Sequence, residues 1–266
     1  MKLLISADIE GTCGIADWDE TAENRSVWYS YFKEQMSKEV SAACQGALDG
    51  GADYVRVKDA HHSARNINPA LLPRGVQLHR GWSGSPFCMA AGVEEGFDAL
   101  AFTGYHSPAC GAGNPLSHTM ETDIDEVLIN GVRTSEFMIH AYAAAMKGVP
   151  SIFLSGDEAL CELAQQFVPG ITVFPVMQGI GKSTISMHPA DAVEGIRSAM
   201  KTAVEKRGDD CLVKLPEHFT AEVKYVNHHR AFKLSFYPGA SLFGERTVAF
   251  SSDDYMEVLR FFHFVL

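Results

Sequence analysis

The chain has 266 residues, of which 46% are hydrophobic and 21% are charged, values that are typical of a folded globular protein and exclude a disordered or fibrous chain. Lys and Arg number 22 against 33 Asp and Glu, a net charge of -11, so nucleic acid and anionic membrane surfaces are unfavourable partners. Asp8 and Glu10 interrupt any signal peptide, and no apolar run approaches the roughly 18 residues of a membrane span, so we expect a cytoplasmic protein.

The first half of the chain alternates strand and helix patterns. The first apolar run is apolar on both faces until Asp8, which is typical of a buried central strand. Helical spacing of apolar residues follows and stops at Gly50-Gly51. Strands are predicted at residues 3–9, 53–58 and 99–103, and a helix at residues 28–48. This rhythm predicts an α/β fold whose mostly parallel central sheet is flanked by helices in three layers.

The second half opens with a hairpin signal. Asn130-Gly131 is the strongest short hairpin pattern in the chain, so we expect a β-hairpin around residues 127–133 to interrupt the parallel sheet. Helices are predicted at residues 135–146, 156–167, 189–206 and 253–264, and strands at residues 151–154, 171–176, 221–226 and 247–251. Residues 1–266 are predicted to form a single α/β unit, with Gly148 and Gly208 as alternatives for an internal boundary.

Polar residues appear where three of the predicted strands end. Asp8-Ile9-Glu10 follows the first strand, Asp59-Ala60-His61 the second, and Gly104-Tyr105-His106 the third. In α/β sheets, function gathers at the carboxyl ends of strands. An Asp at one strand end is more often a helix cap or a turn residue, but three such ends that offer carboxylate and imidazole groups fit a metal site better than three independent caps.

These segments resemble those of the D-aminopeptidases of the dipeptide-transport-operon type, a family of binuclear zinc peptidases. The resemblance extends over essentially the whole chain. It is carried by Asp8-Ile9-Glu10-Gly11, Asp59-Ala60-His61, Gly104-Tyr105-His106, Leu116-Ser117-His118-Thr119-Met120, and Asn130-Gly131 followed by Ser135-Glu136. Each motif is short, and their order and spacing together are specific.

The resemblance implies a ligand set and a catalytic residue. Asp8 would bridge two divalent metal ions, Glu10 and His61 would complete one site, and His106 and Glu136 the other, while His118 would be the catalytic histidine. The three carboxylates, two divalent ions and one hydroxide would together be neutral. Imidazole and carboxylate ligands without thiolate suit zinc, with manganese and cobalt as alternatives.

The implied activity is an aminopeptidase that hydrolyses short peptides with an N-terminal D-residue such as D-alanine. Metal-activated hydroxide would attack the carbonyl, assisted by His118 as base, nucleophile or oxyanion stabiliser. The resemblance also implies a homo-oligomer, a decamer of two stacked rings. Two alternatives remain: a two-metal phosphoesterase or amidase, for which Arg133 is the nearest phosphate clamp, and a non-catalytic metal-binding assembly protein.

Several other polar residues have simpler interpretations. His62 follows His61 and should point away from the metal by strand alternation, and His228-His229 fits a surface or packing role. Gly179-Ile180-Gly181-Lys182 lacks the first glycine of a phosphate-binding loop, which leaves Lys182 as a hypothetical contact for a substrate carboxylate. Asp157 is predicted to be a helix N-cap.

Overall fold

The centre of the chain is a seven-stranded sheet, seen in a computed structural model that describes residues 1–23 and 26–266. In chain order the strands are β1 (Lys2–Ala7), β2 (Tyr54–Asp59), β3 (Gln77–His79), β4 (Ala99–Tyr105), β5 (Ile124–Ile129), β6 (Val132–Arg133), β7 (Ser151–Asp157), β8 (Thr172–Ile180), β9 (Ser183–Ser186), β10 (Phe219–Tyr225), β11 (Ser241–Phe243) and β12 (Thr247–Ser252). The helices are α1 (Trp28–Asp49), α2 (Glu136–Ala145), α3 (Glu158–Phe167), α4 (Pro189–Lys206), α5 (His228–Leu234) and α6 (Tyr255–Val265).

The strand order in the central sheet is β3-β2-β1-β4-β7-β8-β9. All neighbouring pairs are parallel except β8 and β9, which are antiparallel. The order reverses around β1, because the chain goes from β1 to β2 on one side and later to β4 on the other. A crevice therefore opens at the carboxyl ends of these strands, where ligands bind in sheets of this kind.

The two faces of the central sheet belong to different hydrophobic cores. Leu3 and Ile5 pack with apolar residues of α1 and α4, whereas Leu4 packs on the other face with α2, α3 and α6. All three side chains are fully buried. Because successive side chains of a strand point to opposite faces, the apolar side chains of β1 pack into both hydrophobic cores. The predicted α/β class and the helix-flanked parallel sheet are confirmed.

The hairpin at Asn130-Gly131 forms, but it does not interrupt the parallel sheet. Asn130 and Gly131 both have positive φ, at 52° and 75°, as the tight turn requires. β5 and β6 instead belong to a second, antiparallel sheet with the order β11-β12-β10-β5-β6. This sheet has no local signal in the sequence, because β5 pairs with β10, about ninety positions further along the chain.

Helix positions agree closely with the sequence predictions, and α4 has the predicted bounds. Asp157 caps α3 as expected, since its side chain accepts from the Leu160 amide. None of the described helices combines the length and apolar character that crossing a bilayer requires. The cytoplasmic location and the treatment of the chain as one unit stay predictions.

Candidate metal centre and catalytic cavity

The segment after β1 stays beside the end of β4 and brings the first carboxylate into the crevice. The Asp8 amide donates to the Thr103 carbonyl at 2.9 Å, and the Gly11 amide to the Gly104 carbonyl at 2.8 Å. A Cβ on Gly104 would lie 2.2 Å from the Asp8 carbonyl oxygen, and this residue has a φ of +68°. Only glycine allows this approach of the two chains.

Asp8 lies between two imidazoles that come from different strand ends. Its Oδ1 is 3.3 Å from Nδ1 of His61, and its Oδ2 is 3.5 Å from Nε2 of His106. Glu10 faces the first imidazole, with Oε2 3.1 Å from Nδ1 of His61. The side chains of Asp8, Glu10 and both histidines are almost completely buried.

Glu136 reaches the same cluster from the first turn of α2. Its Oε2 lies 3.4 Å from Nε2 of His106, and its Oε1 lies 3.6 Å from Nε2 of His118. Ser135 caps the helix by accepting from the Met138 amide, and the Met120 amide donates to Glu136 at 2.7 Å. The structure thus brings together all six residues that the sequence predicted for the site: Asp8, Glu10, His61, His106, His118 and Glu136.

Backbone carbonyls determine which nitrogen of each imidazole faces the cluster. Nε2 of His61 lies 2.8 Å from the Thr21 carbonyl, Nδ1 of His106 lies 3.0 Å from the Ser107 carbonyl, and Nδ1 of His118 lies 2.9 Å from the Leu116 carbonyl. A carbonyl can only accept, so each of these nitrogens carries a proton. The opposite nitrogen of each ring is therefore the one that faces a carboxylate, as metal-binding histidines require.

The carboxylates of Asp8 and Glu136 are ionised and require positive charge nearby. Burial raises the pKa of Glu136, but the contacts with His106 and His118 together outweigh burial and lower it to about 2. Burial also raises the pKa of Asp8, and the contacts with His106 and His61 again give a net decrease. Conversely, burial lowers the pKa of His61 and of His106, and the facing carboxylates raise both well above the usual value. Protons or metal ions must supply the compensating charge.

Divalent cations fit this donor set. Three buried atoms of the cluster, Asp8 Oδ2, Glu10 Oε2 and His106 Nε2, have no hydrogen-bond partner among the described residues. Leaving a buried polar atom unsatisfied costs about 1–3 kcal/mol, so such atoms are normally partnered. The donor atoms of Asp8, Glu10 and His106 all lie within 4.8 Å of one another. The same holds for a second set, the donor atoms of His106, His118 and Glu136.

A cavity of about 790 Å³ opens beside the cluster. It is large enough for a short peptide. Aromatic side chains form part of its wall: Trp18 packs edge-on against His118 with ring centroids 5.0 Å apart, and Trp82 donates from Nε1 to the His62 carbonyl at 2.7 Å. Four carboxylates line it, from Asp8, Glu10, Glu121 and Glu136.

The residues with simpler interpretations lie away from the cluster or at its edge. His62 lines the cavity and is exposed. It lies beyond the end of β2 with a φ of 45°, so strand alternation does not determine its direction. Arg133 contacts Glu126 and the Cys110 carbonyl. Lys182 is 89% exposed with its Nζ 3.8 Å from Asp17, and His228-His229 begins α5 as an exposed pair. Of these, only His62 is part of the cavity wall.

Sequence reasoning missed Trp18, Trp82 and the polar side chains behind the ligands. Trp82 lies between Gly81 and Gly84 in a segment with no periodic pattern, so nothing local indicates that it reaches the cavity. Asn114 is a buried residue in a loop, and the Asn-Pro pair that it forms with Pro115 is read from sequence as a turn. The burial of a polar loop residue such as Asn114 would have indicated a structural role at the site, but burial cannot be read from the sequence.

Comparisons with known proteins show the family and the fold of the chain. The sequence model of a family described as D-aminopeptidase matches residues 1–264. A D-aminopeptidase of Bacillus subtilis (strain 168) is 28% identical over 261 residues, which cover 97% of this chain and 93% of the relative. A solved structure described as the Zn-dependent D-aminopeptidase DppA from Bacillus subtilis, a self-compartmentalizing protease, has a TM-score of 0.92 and 24% identity. That match covers 100% of this chain and 96% of the other, and shows that the two have the same fold.

Proposed function

The chain belongs to the D-aminopeptidase family and is a hydrolase, and from this premise we propose that it releases an N-terminal D-residue, such as D-alanine, from short peptides. The observation that carries the proposal is the position of Asp8. One of its oxygens faces His61 and the other faces His106, so a single buried carboxylate can serve two metal ions.

Five residues would hold the metals. Asp8, Glu10 and His61 would bind one ion, and Asp8, His106 and Glu136 the other. The mixture of imidazole and carboxylate donors suits zinc, and manganese or cobalt would fit the same set. When bound, two such ions would lower the pKa of water from about 16 to about 7 and polarise the scissile carbonyl.

His118 is the proposed catalytic residue. Its Nδ1 donates to the Leu116 carbonyl, so Nε2 keeps a lone pair and can accept a proton in the cavity. The edge of Trp18 packs against its ring, which restricts rotation. His118 would move a proton between the attacking water and the leaving amine, or stabilise the developing oxyanion.

The charge of the cavity favours a substrate with a free amino group. Four carboxylates line it. Those of Asp8, Glu10 and Glu136 would be balanced by the two metal ions, which leaves Glu121 as the carboxylate that can face a substrate. Among the described residues, neither Lys nor Arg lines the cavity. Glu121 would attract the ammonium group of a peptide, whereas a phosphoester would meet no cationic side chain in this lining. The phosphoesterase alternative therefore has weaker support.

We also propose that the chain forms a homo-oligomer, and specifically a decamer. The related structure is described as a self-compartmentalizing protease, a term that implies assembly of that protein. In this chain, Phe232, Phe236 and Phe264 are exposed by 59%, 73% and 66%. Exposed apolar patches on soluble proteins often mark contact surfaces. Native mass spectrometry would give the subunit number, and a monomer at micromolar concentration would contradict the proposal.

The activity is tested with paired substrates that differ only in configuration. Purified protein loaded with zinc would be assayed against D-alanyl and L-alanyl p-nitroanilide and against p-nitrophenyl phosphate, and its metal content measured by mass spectrometry. We expect two metals per chain, and hydrolysis of the D-alanyl anilide only. Cleavage of the phosphoester without the anilide would favour the phosphoesterase, and metal binding without any turnover would favour the non-catalytic protein.

A further inference from the structure

Building on the function proposed above, we propose that Asn114 and Asp157 are positioning residues of the active site. Together they form a buried polar junction behind the ligands, which we call the Asn114–Asp157 junction. Neither residue lines the cavity. They act through the backbone of Glu10, Ser107 and Leu116, and the carbonyls of the last two accept from the imidazoles of His106 and His118.

Asp157 ends β7 and is fully buried. Its Oδ2 accepts from the Ser107 amide at 2.6 Å, and its Oδ1 accepts from the Ser107 hydroxyl at 2.7 Å and from the Leu160 amide at 2.8 Å. A helix N-cap needs only the last of these bonds. The two bonds to Ser107 are not needed for capping. They attach the segment after β4 to the start of α3.

Through Ser107, Asp157 acts on His106. The Ser107 carbonyl accepts from Nδ1 of His106 at 3.0 Å, which leaves Nε2 facing Asp8 and Glu136. The carboxylate of Asp157 holds the amide and the hydroxyl of Ser107 from the other side. The orientation of the imidazole therefore depends on a carboxylate that does not touch it, a role that outer partners commonly have at metal sites.

Asn114 connects Asp157 to two further parts of the site. Its Nδ2 lies 3.1 Å from the Glu10 carbonyl and 3.4 Å from Oδ2 of Asp157. Its Oδ1 accepts from the Leu116 amide at 2.9 Å, and the Leu116 carbonyl in turn accepts from Nδ1 of His118 at 2.9 Å. One amide thus fixes the backbone at a proposed ligand and the turn that orients the proposed catalytic histidine.

The junction is closely packed at Gly113. A Cβ on Gly113 would lie 2.3 Å from the Cβ of Ala159 and 2.5 Å from the Ser107 hydroxyl. Asn114 itself is only 4% exposed. Because both side-chain groups of Asn114 are hydrogen-bonded in this buried region, removing the amide would leave its buried partners unsatisfied.

The test compares Asn114→Ala and Asp157→Asn with the wild-type chain. Asp254→Asn is the matched control, because Asp254 caps α6 by accepting from the Met256 amide at 2.8 Å and bonds none of the proposed ligands. Three quantities would be measured for each protein: the zinc dissociation constant by competition with a chromophoric chelator, the kcat and KM for D-alanyl p-nitroanilide, and the unfolding temperature.

We expect both junction variants to bind zinc about 10–100-fold more weakly than the wild type. We also expect kcat to fall and KM to change little, because orientation affects the reacting groups more than the substrate contacts. Asp254→Asn should leave the zinc affinity and kcat unchanged and alter the unfolding temperature little, because Asn also caps helices. Folded junction variants whose zinc affinity and kcat lie within twofold of the wild type would overturn the inference.

Ser107→Ala provides a milder variant if the others do not fold. It removes only the hydroxyl bond to Asp157, and we expect a few-fold loss of zinc affinity. Unchanged zinc affinity in this variant would contradict the link from Asp157 to His106. If the wild-type chain itself binds no zinc and cleaves no anilide, the proposed function fails, and this inference fails with it. If the wild type binds zinc and cleaves the anilide, and the variants have the same zinc affinity and kcat, only the positioning role of Asn114 and Asp157 is refuted.

Discussion

The imidazole rings of His106 and His118 are stacked, with centroids 4.3 Å apart and planes 6° from parallel. Each ring donates from Nδ1 to a backbone carbonyl, so both Nε2 atoms face the Glu136 carboxylate. A proposed ligand and the proposed catalytic residue thus share one carboxylate. This arrangement also allows His118 to be a metal ligand, since its donor atom lies within 4.8 Å of those of His106 and Glu136.

Replacing His118 with Ala separates these two roles. We expect kcat for D-alanyl p-nitroanilide to fall about 10²–10⁴-fold, the range for loss of a general acid–base group, while both metals are retained. Kinetics and metal analysis on the same sample would check this. His62→Ala is the control, because His62 also lines the cavity but contacts no proposed ligand carboxylate. Loss of one metal in His118→Ala would instead make this histidine a ligand.

Replacing Asp8 with Ala should empty both metal sites. Asp8 is the proposed ligand that faces both imidazole ligands, and its removal would leave each ion with too few donors in a buried site. His61→Ala should weaken mainly one site, because His61 contacts Asp8 and Glu10 but lies on the side away from Glu136. Metal content after dialysis would be measured for the wild type, Asp8→Ala and His61→Ala. One tightly held metal in Asp8→Ala would argue against the bridging role.

The place of the metal site could be predicted because three of its residues lie just after strands. Asp8, His61 and His106 each follow a strand of the central sheet, and the carboxyl ends of neighbouring parallel strands meet at one edge of the sheet. His118 and Glu136 were assigned only through the family resemblance. Their approach depends on contacts over long sequence separations, such as the bond from the Met120 amide to Glu136.

The second sheet and the cavity wall could not be predicted for a related reason. The partner of β5 is β10, and an alternating strand pattern does not identify its partner. Trp82 likewise reaches the cavity through a bond to the His62 carbonyl and through Lys58, whose Nζ lies 4.2 Å from the indole ring centroid. Such contacts follow from the assembled fold and have no local signal.

Replacing Trp82 with Ala should weaken substrate binding without slowing the chemical step. The indole lines the cavity and is held by the His62 carbonyl and by Lys58, so it offers the substrate a rigid apolar surface. We expect KM to rise roughly 3–10-fold, equivalent to about 1 kcal/mol of lost contact, with kcat within about twofold. Trp28→Ala is the matched control, because Trp28 is 59% exposed and lies outside the cavity lining. A large fall in kcat with unchanged KM would contradict this role.

Glu39 should make stability depend on pH. It lies in α1 with only 1% of its surface exposed, and its Oε1 accepts from the Cys13 amide and from Gln35. Burial raises the pKa of Glu39 from 4.5 to about 7. Between these two values the folded chain binds more protons at this residue than the unfolded chain. The free energy of unfolding should therefore fall as the pH rises through this window, and the loss should be complete above about pH 7.

Replacing Glu39 with Gln should remove this dependence, because an amide keeps the acceptor for Cys13 and Gln35 and carries no charge. A pKa shift from 4.5 to about 7 corresponds to roughly 3 kcal/mol at most, so we expect the metal-free variant to gain about 1–3 kcal/mol near pH 8 and less than about 1 kcal/mol near pH 5. Urea unfolding at both pH values would measure the difference. Glu34→Gln, on the same helix with its side chain 57% exposed, should show no such gain. An equal effect of Glu39→Gln at both pH values would mean that the carboxyl group does not titrate in this window, and that its burial is compensated by charges elsewhere.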